Sequence, residues 1–166
     1  VKLDPDRMRK KLLDELDSIK KVLMFEDRSQ ASPNNIREWS LIHTDIISIS
    51  KEKFEDGHYA DSVESAFKEV NSRIKDIYKN ETGQELDGVE LMRNVFSKKN
   101  PLIILGDLST ESGRNVQEGY GHIFAGSMQG IRNPSAHANL AISPEKAIHL
   151  LFLASLLMYT IDGKEV

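Results

Sequence analysis

The sequence predicts an all-α fold, a helical bundle of about five to six helices behind an N-terminal helical extension. Three observations predict it. Apolar residues recur at spacings of three and four in segment after segment, the pattern of helices that each bury one face. Two segments open on Asp4-Pro5-Asp6 and Ser143-Pro144-Glu145. Such openings combine a capping oxygen, a proline where no N–H is needed, and an acid at the positive end of the peptide dipoles. The one β-like run, Pro101 to Gly106, has no second strand to pair with and is read as a buried extended loop.

The elements follow in order. After Asp4, the residues Met8, Leu12, Leu16, Ile19 and Leu23 form one stripe, while lysines and acids alternate on the remainder as a solvated face. The linker Ser29 to Asn35, with Pro33, ends this extension, so residues 1–30 are set apart from a domain over 31–166. A second helix is predicted from Asn35 to Ser50, with Ile36, Trp39, Ile42, Ile46 and Ile49 inward. The clearest runs from His58 to Lys79, where Tyr59, Val63, Ala66, Phe67, Val70, Ile74 and Ile77 trace one face. Gly83 and Asp87-Gly88 mark a polar connection before a short helix carrying Val89, Leu91, Met92, Val95 and Phe96. The next helix spans Gly113 to Arg132 and contains Gly119, Gly121, Gly126 and Gly130. Each glycine costs up to ~1 kcal/mol of helix propensity, so their number implies close approach of another backbone. The last helix runs from Ser143 to about Thr160.

Composition narrows the chemistry. The chain has 166 residues, enough for one domain with its own core, and 39% hydrophobic against 29% charged residues, ordinary for a globular protein. It has no Cys, which removes disulfides, thiolate metal sites and cysteine nucleophiles. A net charge of −4 argues against a generally basic nucleic-acid coat while leaving room for a local basic site. The apolar stretch Ala147 to Ile161 carries His149, Ser155 and Thr160 and is shorter than the ~18 residues of a membrane span. No signal peptide opens the chain, so a cytoplasmic location away from membranes is expected. The opening Val1, where Met would be usual, suggests a domain of a longer protein.

Several motifs fail. Gly119-Tyr120-Gly121 has Phe124 where a dinucleotide fingerprint needs glycine, and no phosphate-binding loop ends in Gly-Lys-Ser/Thr. The five histidines form no metal-ligand pair, and Glu118 with His122 reads as a surface hydrogen bond. No metal and no cofactor is expected.

One motif survives: Ile131-Arg132-Asn133-Pro134-Ser135-Ala136-His137. On an unbroken helix Arg132 and His137 would lie about 140° apart. Pro134 removes an amide donor and clashes with the carbonyl of Gly130, so the chain should loosen and let the two converge. Arg37-x5-His43 has a comparable spacing. The later match is distinguished by Asn133, by Pro134 and by its place before the last helix. The plainer reading is a helix stop, with Arg132 on the last carbonyls and His137 in a turn.

Arg132-Asn133-x3-His137 before a final helix resembles the HEPN superfamily. Within it the chain is similar to the Ymh group, over most of residues 36–162. Trp39-x3-His43, Phe54-x2-Gly57-His58-Tyr59-x3-Val63-x2-Ala66-Phe67, Gln117-x-Gly119 and Phe124-Ala125-Gly126 carry the likeness beside the Arg132 motif. Some active HEPN toxins also have Tyr two residues beyond the His, where this chain has Asn139.

The resemblance implies a metal-independent endoribonuclease with Arg132, Asn133 and His137 at its catalytic site. The residue types suit that reaction. A neutral imidazole, with an ordinary pKa of ~6.5, can take the proton of a 2′-hydroxyl. The planar guanidinium matches phosphate. Asn133 would orient His137 or hold a phosphate oxygen. The resemblance also implies a symmetric homodimer with a composite cleft, RNA as substrate, and a role in phage defence or toxin–antitoxin control. An antitoxin, or an N-terminal region absent from this chain, would then be the regulating partner. A non-catalytic HEPN dimerisation or nucleotide- or RNA-binding module is the other reading.

Overall fold

A computed structural model of the chain describes residues 10, 15, 37–133 and 141–163. Contacts divide the chain into two units, Val1–Ile36 and Arg37–Val166. In the first, Lys10 and Glu15 are helical; the stripe from Met8 to Leu23 lies outside the described residues. The second unit is all-α, and no strand occurs among the described residues.

The second predicted helix is two pieces, a 3-10 turn over Arg37–Leu41 and helix α1 over Thr44–Glu55. His43 makes the break. Its backbone is extended, and its ring Nδ1 accepts the Asp45 N–H at 3.2 Å, as a capping side chain does. Trp39, Ile42 and Ile46 are buried as expected, whereas Ile49 is only half-buried and Ser50 is buried instead.

Gly57, at φ +82°, turns the chain into α2, Tyr59–Thr82, the spine of the domain. At about 1.5 Å per residue its 24 residues extend roughly 36 Å. It packs against α1, against the short helix α3 over Gly88–Val95, and against α5 over Pro144–Ile161. Val63, Ala66, Phe67, Val70 and Ile74 are fully buried, each large side chain contributing about 1.5–3 kcal/mol. A polar contact joins the apolar ones between α1 and α2: the Ser62 hydroxyl donates to the Ser50 carbonyl at 2.8 Å. Both serines are buried, and their hydrogen bonds keep that burial from being costly.

Helix α4, Glu111–Ser127, is capped by Thr110, whose Oγ1 accepts the Gly113 N–H at 3.0 Å. It lies on α3, with Phe96 and Phe124 stacked 4.3 Å apart. The run from Pro101 to Gly106 is irregular, as expected, but not buried: Ile104 is 63% exposed. The buried Gln117 ties it down, donating through Nε2 to the Ile103 carbonyl and accepting the Leu105 N–H, both at 2.9 Å. One side-chain amide thus does for this loop what a neighbouring strand would otherwise do.

The glycines of α4 divide. A Cβ at Gly113 would overlap the Asp107 carbonyl, and one at Gly121 would stand 3.2 Å from Phe96 Cβ. At Gly119, Gly126 and Gly130 it would meet nothing within 4 Å. Of the four glycines for which close approach was predicted, only Gly121 shows it among the described residues, while Gly113, outside that set, shows it more tightly. The other three line an outer face with Val116 and Ile123, which are 39% and 43% exposed.

Candidate functional site

The loosening predicted at Pro134 lies outside the described residues, but the helix already departs from α geometry ahead of it. After Ser127 the helix widens into a π segment, Met128–Arg132, in which the Asn133 N–H reaches the Met128 carbonyl five residues back. Such widened turns occur often at functional positions because they redirect the side chains that follow. Met128 is buried, and the segment packs against α2 and α3.

Arg132 and Asn133 come together at its end: Arg132 Nη1 stands 3.4 Å from Asn133 Oδ1. The same nitrogen donates to Asp87 Oδ2 at 3.2 Å. Arg132 Nε is shut off from solvent without an acceptor. No acceptor for Nη2 occurs among the described residues. His137 lies outside the described residues, as do Pro134 and Asn139.

Asp87 and Asn71 are the members that motif reasoning missed. Asp87 precedes α3, where an aspartate commonly caps the helix, yet it makes no capping bond. Its Oδ2 faces Arg132, and its Oδ1 accepts from Asn71 Nδ2 at 2.6 Å. Asn71, buried on α2, also accepts the Gly88 N–H through Oδ1 at 3.0 Å. Burial pushes the Asp87 carboxyl up. The Asn71 amide and then the Arg132 guanidinium outweigh it, leaving its pKa below the ordinary aspartate value. Gly88 adopts φ +58°, and a Cβ there would stand 3.8 Å from Arg132 Nη1. The signal in the sequence was Asn71 itself, an amide one residue off the apolar face of α2, and Asp87-Gly88, which read as a connection only.

A second polar cluster is structural. His43 Nε2 stands 3.1 Å from Asp162 Oδ2, and Arg73 Nη2 reaches Asp45 at 3.0 Å and Asp162 at 3.5 Å. The His43 backbone N–H donates to Ser155 Oγ at 2.8 Å, and its ring meets Tyr159 edge-on. His43 is buried and serves as a packing joint, while the Arg37 side chain lies outside the described residues. Glu118 and His122 pair loosely at 3.6 Å on the surface, where Lys98 holds the other Glu118 oxygen at 2.6 Å. Among the described residues no group of three or more His, Cys, Asp or Glu is placed to hold a metal ion, and no helix is long and apolar enough to cross a membrane.

No curated protein and no solved structure matches the chain. The family described as "Protein of unknown function (Hypoth_ymh)" matches residues 40–161, from the 3-10 turn to the end of α5. The match thus takes in the π segment, Asn71, Asp87 and the whole Arg132 motif, and on it the chain belongs to that Ymh family.

Proposed function

We propose that this domain is a HEPN-type, metal-independent endoribonuclease that works as a homodimer in the cytoplasm, in phage defence or under toxin–antitoxin control. The observation that carries the reading is Arg132: a partly exposed guanidinium at the end of a π segment, beside Asn133, held through Nη1 alone. A guanidinium with donors to spare suits phosphate oxygens.

In the proposed reaction His137 takes the proton of the 2′-hydroxyl. The 2′-oxygen attacks the adjacent phosphorus, and the bond to the 5′-oxygen breaks. Arg132 stabilises the charge growing on the phosphate, which is where fixed donors help most. The leaving 5′-oxygen takes its proton from the second copy's His137, giving a 2′,3′-cyclic phosphate and a 5′-hydroxyl. The exposed face of α4 and of the π segment after it, with Val116, Gly119, Ile123, Gly126 and Gly130 at spacings of three and four, supports a close pairing of two copies.

One observation favours a second reading, an RNA- or nucleotide-binding module without turnover: Asn139 stands where some active HEPN toxins have Tyr. Structured RNA incubated with the protein in excess chelator separates the two. The expected result is cleavage to 2′,3′-cyclic phosphate ends, lost by ~10²-fold or more in both Arg132→Ala and His137→Ala, with DNA untouched. RNA bound but uncut by the unaltered chain would establish the binding module. Cutting at the unaltered rate in both variants would overturn the site.

A further inference from the structure

Asp87 is the residue type that caps helices, stands at a helix start, and does not cap. Both of its oxygens are engaged elsewhere, one by Asn71 and one by Arg132. Asn71 in turn leaves no freedom to that pair. Its Nδ2 donates to Asp87 and its Oδ1 accepts the Gly88 N–H, so a single side-chain amide grips two consecutive residues from a buried place on α2. The chain runs buried amide, carboxylate, guanidinium. It joins three elements distant in sequence and ends at a guanidinium whose Nε has no acceptor.

Of the guanidinium's other donors, Nε is shut off from solvent, which leaves Nη2 to meet a phosphate oxygen in a charge-assisted hydrogen bond. Asp87 uses Nη1 and leaves Nη2 free of it. A carboxylate placed there fixes the rotation of the group without taking up Nη2, and it balances the positive charge of the guanidinium.

We propose that Asp87, set by Asn71, is a positioning residue that locks the Arg132 guanidinium through Nη1 so that its Nη2 is left for the phosphodiester of RNA. The substrate part of this inference rests on the ribonuclease reading. The locking of Arg132 does not.

The test reads the two separately, on the full chain labelled with 15N. The Arg132 side-chain signals are assigned by their loss in Arg132→Lys. In the unaltered protein the two Nη groups are expected to rotate slowly and give resolved signals. In Asp87→Ala and Asn71→Ala they are expected to average, with Asp87→Asn between. Because Asp87 makes no cap bond, Asp87→Ala should keep its helical circular dichroism; Asp87→Asn, nearly the same shape, serves if it does not. Rotation that stays slow in Asp87→Ala and Asp87→Asn would overturn the inference. On RNA, the Asp87 variants should lose ~10-fold or more in kcat with KM changed by less than about threefold, the mark of an interaction needed in the transition state. Should the unaltered chain cut no RNA while the Nη signals respond as expected, the ribonuclease reading fails and the positioning of Arg132 stands.

Discussion

His43 and Asp162, 119 residues apart, are joined at 3.1 Å across the closing contact of the domain, where the start of α1 meets the end of α5. The tautomer follows from geometry. Nδ1 accepts the Asp45 N–H, so Nε2 carries the ring proton and donates to the Asp162 carboxylate. His43 thereby caps one helix with one nitrogen and ties down another with the other.

Separate variants divide those two roles. His43→Asn keeps a capping side chain and loses the bond to Asp162, whereas His43→Ala loses both. In urea unfolding His43→Ala should cost about 2–4 kcal/mol, His43→Asn about 1 kcal/mol less than that, with unchanged m-values. A double-mutant cycle between His43→Ala and Asp162→Ala should give a coupling of about 0.5–1.5 kcal/mol. Additive effects would mean that the contact contributes nothing of its own.

Gln117 is the sole side chain seen to hold the Ile103 carbonyl and the Leu105 N–H among the described residues. Gln117→Leu keeps the volume and strands both backbone groups, each costing about 1–3 kcal/mol where it remains out of water. The Leu105 amide should then exchange with solvent at least ~10-fold faster, while amides in the middle of α2 change only with global stability. Equal acceleration everywhere would show that Gln117 supports the whole bundle rather than this loop.

Much of this was legible in the sequence, for a definite reason. Apolar spacing reports burial, and α2 and α5 are long, so Val63 to Ile74 and the Ser143-Pro144 start read correctly. The break at His43 was not legible, because imidazole caps are uncommon and the apolar spacing runs on through Ile42 and Ile46. Pro101 to Gly106 read as buried because it is apolar; what holds it is the Val95 carbonyl at the end of α3 and one amide on α4, and no local pattern announces that. Of the candidate site, Arg132 and Asn133 were found from adjacent residues. Asn71 and Asp87 were not, since their partners lie up to 45 residues away and only folding brings them together.

The glycines of α4 make opposite predictions along one helix. Gly113→Ala drives a methyl into the Asp107 backbone, which cannot swing aside as a flexible side chain would, and should destabilise by about 1–3 kcal/mol or more. Gly119→Ala meets nothing and replaces a poor helix former, so it should stabilise the fold by up to ~1 kcal/mol, measured at a concentration that dissociates a dimer. Gly119→Leu should weaken self-association in sedimentation equilibrium without lowering the stability of the dissociated chain. Unaltered association in Gly119→Leu would remove the α4 face as the place where two copies meet.

The Asp87 pKa gives the last prediction its sign. A carboxyl whose pKa is lower folded than unfolded binds fewer protons in the native state, so it adds stability above its unfolded value near 3.9. That contribution is lost as the pH falls through the lower, folded value. Asp87→Asn cannot titrate and lacks the ion pair with Arg132. The stability difference between the two proteins should therefore be constant from about pH 5 to 7 and shrink steadily below about pH 4. The side chain of Asp87 is half exposed, so the plateau should be small and should fall further in ~0.5 M salt. A difference that grew on acidification would mean that the carboxyl is harder to ionise in the fold than out of it, and that burial outweighs the hold of Asn71 and Arg132.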